Sequence, residues 1–152
     1  MLTGITFATQ AFAVATRIYL GCIQVPFNVT IDGLFYVVGT AQNGNIRMGL
    51  FRDNGDDPSG GALVVESASV AQGAVNEQQM VTVADTVLTP GRYWVAVQTD
   101  DISATFLRYF DNSVSTARRY ARGGAYGPFE NPCPAAVLDP VLICCGTRVK
   151  SV

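Results

Sequence analysis

The chain has 152 residues, a formal net charge of −2 and no histidine. This length predicts one domain, and 15 Gly and 7 Pro beside 49% hydrophobic residues favour many short strands joined by tight turns. The charge excludes the basic excess that binding to nucleic acid or to an anionic membrane requires. Because Ser-His-Asp and Cys-His nucleophiles are excluded without histidine, we expect a protein that is not an enzyme and needs no cofactor.

Residues 1–16 are predicted to form an extended N-terminal arm ahead of a single domain over residues 17–152. Polar residues interrupt the arm and no basic residue precedes Arg17, so neither a signal peptide nor a membrane span is expected. An exposed apolar arm docks on its own sheet or on a neighbouring subunit, and both alternatives stay open. The candidate interface residues of the arm are Leu2, Ile5, Phe7 and Phe12.

The next part of the chain alternates apolar stretches with turn residues, which is typical of β-strands. Asp32-Gly33 predicts a hairpin turn, because Asp-Gly suits the positive φ angles of a two-residue loop. Further on, Ile46, Met48 and Leu50 fall on one face of a strand. The predicted strands here are Ile18–Ile23, Phe27–Ile31, Leu34–Thr40 and Asn45–Arg52.

The most polar segment runs over residues 53–61 and has two interpretations. Asp53, Asp56 and Asp57 offer the oxygen ligands that calcium prefers, which makes them a candidate metal site. Their spacing lacks the ladder of an EF-hand, and Asp, Asn, Pro and Gly are also the residues of an exposed hairpin loop. The sequence favours the plain loop.

Residues 88–99 contain the clearest turn and the clearest strand. Pro90-Gly91 predicts a tight turn, and both faces of the strand that follows are apolar, which predicts an inner strand covered on two sides. Trp94 is expected in the core with its N–H bonded, and the neighbouring Asp100 and Asp101 are expected to be turn residues rather than an acid-base pair. Further predicted strands are Ala62–Glu66, Gln78–Ala84, Ala104–Phe110 and Val141–Val149.

Residues 111–139 predict a long irregular loop, since alternation is lost and Pro and Gly accumulate. Such loops are usually functional, and Arg with Tyr is the composition of interface hot spots. A meandering surface loop whose Arg residues pair with acidic turns is the alternative. The candidate interface residues are Arg118, Arg119, Tyr120, Arg122, Tyr126 and Phe129.

The four cysteines do not have the spacing of a zinc site. Cys133 is far from Cys144 in the sequence, and Cys144 and Cys145 are direct neighbours. They are interpreted as small buried hydrophobic residues of a reducing compartment. A disulfide between Cys22 and one of the adjacent pair stays open.

About eight to ten short antiparallel strands without a helix predict an all-β, jelly-roll-like β-sandwich. An immunoglobulin-like sandwich is the nearest rival, but Cys22, Trp94 and Cys133 do not have its core spacing.

The run from Ile46 to Ser67, followed by Leu-Thr-Pro-Gly-Arg-Tyr-Trp-Val-Ala-Val from Leu88, resembles a β-sandwich module of tailed-phage structural proteins. Ala125-Tyr-Gly-Pro-Phe and the closing segment from Pro140 to Val149 are similar to the same pattern. The resemblance implies a virion protein without enzymatic activity, assembled in the host cytoplasm.

With one domain and no appended fibre segment, the resemblance favours a capsid decoration or cement protein. Its implied partner is the major capsid protein, and its implied assembly is a homo-oligomer, a trimer. The alternative is a glycan- or receptor-binding module of a phage tail, fibre or cell-surface protein, in which Tyr120, Tyr126 or Trp94 would stack on sugars.

Overall fold

A computed structural model describes residues 6–12, 17–55, 57–110, 118–122, 126–138 and 142–150. These residues form strands, turns and loops, as the all-β prediction required. No helix in these ranges is long and apolar enough to cross a membrane. The strands are β1 Thr6–Ala11, β2 Arg17–Val25, β3 Val29–Val37, β4 Asn45–Arg52, β5 Leu63–Glu66, β6 Val70–Ala71, β7 Gln78–Leu88, β8 Gly91–Thr99, β9 Thr105–Phe110, β10 Arg118–Arg122, β11 Ala136–Leu138, β12 Leu142–Ile143 and β13 Cys145–Val149.

The strands form two layers in which every pair is antiparallel. One layer is a large sheet in the order β11-β10-β2-β8-β4-β5, with β6 also paired to β4. The other layer contains β1-β9-β12 and β13-β3-β7. Between β12 and β13, Cys144 N donates to Leu107 O of β9 (3.2 Å), and Cys144 O accepts from Val37 N of β3 (3.1 Å). The chain therefore changes partner at Cys144 and joins the two halves of the second layer.

Strand β8 is the central strand of the large sheet and is covered on both faces. It pairs with β2 on one side and with β4 on the other, and its residues from Tyr93 to Thr99 are all buried. Val95 packs in the core between the two layers, while Trp94 packs in a second cluster on the outer face. The predicted doubly covered inner strand is thus confirmed.

The core between the layers contains three aromatic rings at one corner. The Phe12 ring lies 5.5 Å from that of Tyr19 and 4.8 Å from that of Phe106, measured between ring centroids. Tyr19 belongs to the large sheet and Phe106 to the second layer. Phe12 therefore ties the beginning of the chain to both layers through edge-to-face packing.

The hairpin predicted at Asp32-Gly33 is wrong. Strand β3 continues through both residues. Relative to β13, Asp32 is an extra residue of a β-bulge, whereas relative to β7 the extra residues lie in β7. The Asp32 carboxylate accepts a hydrogen bond from Arg148 Nε at 2.6 Å, and that bond holds the pKa of Asp32 below its ordinary value. Glycine also suits a bulge, so the same dipeptide fits both structures.

Two segments for which no strand was predicted, the N-terminal arm and the irregular loop, contain strands. In the described part of residues 1–16, β1 pairs with β9 from Thr6 opposite Phe110 to Ala11 opposite Thr105. In residues 111–139, which we predicted as one irregular loop, β10 pairs with β2 and β11 pairs with β10. Both segments thus extend the sheets of the domain itself.

The outer core cluster gives a test of the fold. Phe129 is 7% exposed and its ring lies 5.9 Å from that of Phe51. Replacing Phe129 with Ala removes a large buried ring, so we expect a loss of about 3–5 kcal/mol in the free energy of unfolding. Urea unfolding followed by Trp94 fluorescence measures it.

The control is Val87→Ala, because Val87 is 68% exposed and its truncation should stay within about 0.5 kcal/mol. A Phe129→Ala loss as small as that of the control would contradict the packing of this segment on the sheet.

Candidate interaction surfaces

The predicted interface residues of the N-terminal arm fall in different places. Leu2 and Ile5 lie outside the described residues. Phe7 lies in β1 opposite Tyr109, and its side chain is also outside the description. Phe12 is 1% exposed and belongs to the core between the layers, so its ring is not at the surface.

The predicted interface residues of segment 111–139 also fall in different places. Arg118, Arg119, Tyr120 and Arg122 are placed by the backbone of β10 alongside β2, while their side chains lie outside the description. Phe129 is buried in the outer cluster. Tyr126 is half-buried with its hydroxyl 2.6 Å from Ser69 Oγ, and burial raises its pKa.

Residues 126–135, which precede β11, form a cap over the outer face of the large sheet. Phe129 and Cys133 are in contact there with Trp94 and Phe51 within one apolar cluster. Cys133 N donates to Gly61 O and Gly60 N donates to Cys133 O, both at 2.9 Å. The sequence pattern missed this cap, because its apolar residues are irregularly spaced between prolines.

The candidate calcium residues are engaged by protein donors. Asp53 Oδ1 accepts the indole N–H of Trp94 at 2.6 Å, which confirms the predicted buried and bonded Trp94. Asp57 Oδ1 accepts from Ser59 N at 2.8 Å and from Ser59 Oγ at 2.6 Å. Asp56 is outside the described residues, among which no cluster of three or more potential metal ligands occurs.

A hydrogen-bonded polar turn at one end of the sandwich presents an apolar side chain. Asp100 Oδ1 accepts from Asn45 N at 2.6 Å, and Asp101 Oδ1 accepts from Ser103 N at 2.7 Å. The bonds to Ser103 also lower the pKa of Asp101. Both aspartates are therefore turn residues, as predicted, and between them and Ser103 stands Ile102, which is 59% exposed.

A second surface feature is an apolar groove of about 300 Å³ between the two layers. It lies at the end of β2, where β10 pairs only as far as Gly21, and beside β13. Phe27 at its rim is 64% exposed and Val149 is 57% exposed. Sequence reasoning missed the groove, whose main lining residues are Ile23, Val25, Phe27, Val29, Thr147 and Val149.

All four cysteines are in the thiol form. Cys22 packs with the outer cluster, whereas Cys145 packs with the core between the layers, so the large sheet separates them. Cys133 is buried between the cap, to which it belongs, and the large sheet, and burial raises its pKa to about 12. The arrangement fits the interpretation of cysteines as packing residues.

The Trp94 hydrogen bond predicts a difference between two substitutions. Asp53→Ala leaves the buried indole N–H without its acceptor, which should lower the free energy of unfolding by about 1–3 kcal/mol. Asp53→Asn keeps an acceptor oxygen and should lower it less. Equal losses, measured by urea unfolding, would contradict a structural role for this bond.

The raised pKa of Cys133 predicts slow alkylation. Moving the pKa from 9.0 to about 12 reduces the thiolate present at pH 8 roughly a thousandfold. Iodoacetamide at pH 8 should leave Cys133 unmodified in the native protein and modify all four cysteines in urea without reductant, as read by mass spectrometry. Rapid native labelling of Cys133, or fewer than four thiols in urea, would contradict the structure.

Comparison with known proteins assigns no family to the chain. No protein-family model matches it, and no curated protein is similar to it. The resemblance to phage virion modules therefore depends on the quoted sequence runs, and the function is a proposal.

Proposed function

We propose that the chain is a phage virion structural protein of the capsid decoration or cement type, which binds the major capsid protein of the assembled shell. The sequence resemblance and the β-sandwich fold support the class. The observation that carries the binding role is the hydrogen-bonded turn that presents exposed Ile102. A turn whose backbone is held by hydrogen bonds before binding loses little conformational entropy when it docks.

The polar groups around this turn serve its conformation. Asn43 Nδ2 donates to Ser103 Oγ at 2.8 Å, and Asn45 Nδ2 donates to Asp100 Oδ2 at 2.8 Å. These bonds fix two adjacent loops against each other, so the end of the sandwich behaves as a preformed surface. A preformed surface with an apolar centre and a polar rim suits protein docking.

The mechanism of a decoration protein is mass action. A ligand that binds only the assembled shell stabilises the shell by RT ln(1 + [L]/Kd), which reaches about 2.7 kcal/mol when the free concentration is about 100 times Kd. The reaction needs no catalytic group and no cofactor. Residues Leu2 and Ile5 and the β10 side chains stay further candidates for this docking.

The glycan-binding alternative loses one of its aromatic candidates. Trp94 is 0% exposed, so it offers no face to a sugar ring. Tyr126 is half-buried and bonded to Ser69. We therefore favour docking on a protein shell.

Co-sedimentation tests the proposal. The purified protein is mixed with capsid shells of its own phage that lack the protein. It is also mixed with dissociated capsid subunits and with a glycan array. We expect binding to assembled shells and a rise in shell melting temperature. Binding to glycans without binding to shells would overturn the proposal.

Ile102→Ser tests the docking turn, because it removes the exposed apolar side chain and leaves the turn hydrogen bonds in place. We expect the affinity for shells to fall by roughly tenfold or more. Val87→Ser, at an exposed residue on β7, is the matched control and should bind shells as the parent does. Unchanged binding by Ile102→Ser would exclude this turn as the contact.

A further inference from the structure

Strand β13 is an edge of the second layer, and among the described residues only β3 pairs with it. Cys144 O accepts from Val37 N at 3.1 Å, and Lys150 N donates to Thr30 O at 2.8 Å. Backbone groups of alternate residues point to the same side of a strand. The even-numbered residues therefore face β3, and the N–H and C=O groups that point away from it belong to Cys145, Thr147 and Val149.

The opposite edge of the same sheet is less suited to pairing. Strand β7 bulges, since Ile31 lies opposite Thr86 and Gly33 lies opposite Thr82. Bulges blunt an edge against further strands. At β13 the shift arises from the extra residue Asp32 in β3, so β13 itself is regular.

We propose that β13 pairs with β13 of a second copy of this chain about a two-fold axis at Thr147. In this antiparallel register Thr147 lies opposite Thr147 of the second copy, and Cys145 lies opposite Val149 in both directions. Cys145, Thr147 and Val149, whose backbone N–H and C=O groups point away from β3, therefore lie opposite residues whose backbone groups also point away from β3. Each such pair exchanges two hydrogen bonds, about six in total.

The positions of the positively charged side chains favour the register centred on Thr147 over the register centred on Arg148. Centred on Thr147, the contact places Arg148 opposite Gly146 and Lys150 opposite Cys144, so like charges do not meet. A register centred on Arg148 would place two guanidinium groups opposite each other, which is unfavourable. Arg148 also forms an ion pair with Asp32, and Lys150 with Asp85, so neither cation opposes the contact.

The same axis brings the two apolar grooves together. Thr147 and Val149 line the groove, and their side chains lie on the same face of the extended sheet in both copies. Phe27 and Val149, two exposed large apolar residues of the groove, would lose contact with water there, which favours association. The contact is independent of shell binding and differs from the trimer that the sequence resemblance implies.

Sedimentation equilibrium from about 1 μM to about 1 mM tests the contact. We expect the mass to rise with concentration from 16.2 kDa for one chain to twice that value. Val149→Lys should stay monomeric throughout, while the control Val87→Lys, on the opposite edge, should dimerise as the parent does. A monomeric parent, a trimer, or a dimer that Val149→Lys leaves intact would overturn the proposal.

Amide hydrogen exchange in the unaltered protein tests the register without a substitution. When nine-tenths of the chains are dimeric, exchange at Cys145, Thr147 and Val149 should slow about tenfold relative to the monomer. Gly146 and Arg148, whose amides already face β3, should change little. Equal slowing of odd and even residues, or no slowing, would overturn the β13 pairing.

Discussion

The burial of strand β8 on both faces is the constraint on which the rest of the structure depends. A strand with Tyr93 and Val95 on one face and Trp94 and Ala96 on the other needs two apolar covers. The second layer supplies one of them, and the cap supplies the other. The segment that resembles a surface loop in sequence is therefore part of the core.

This arrangement determines which surfaces stay open to a partner. The cap occupies the outer face of the large sheet, so docking falls to the ends and edges of the sandwich. At one end, the carboxylates of Asp100 and Asp101 are used to hold a turn. At the side, β13 and the end of β2 leave an apolar groove between the layers. Both features suit protein contacts, which agrees with the proposed role in a virion.

The sequence predicts best where a periodic pattern and a turn signal coincide. Strand Asn45–Arg52 has its predicted bounds, and the buried Trp94 is as expected. The hairpin prediction at Asp32-Gly33 was wrong because a hairpin and a bulge use the same residue types. Only the pairing with β13 and β7 distinguishes the two structures. Phe12 and Phe129 lie in segments without alternation, where a local pattern does not reveal burial. The groove joins Ile23 to Val149, residues that only the tertiary fold brings together.

Native-state hydrogen exchange tests the central claim, that the cap and β8 form one cooperative unit. If the cap is part of the core, the amides of β8 from Trp94 to Gln98 exchange only through global unfolding, with the free energy that urea unfolding gives. Exchange of these amides through a local opening of the cap, at a free energy well below that value, would contradict the account.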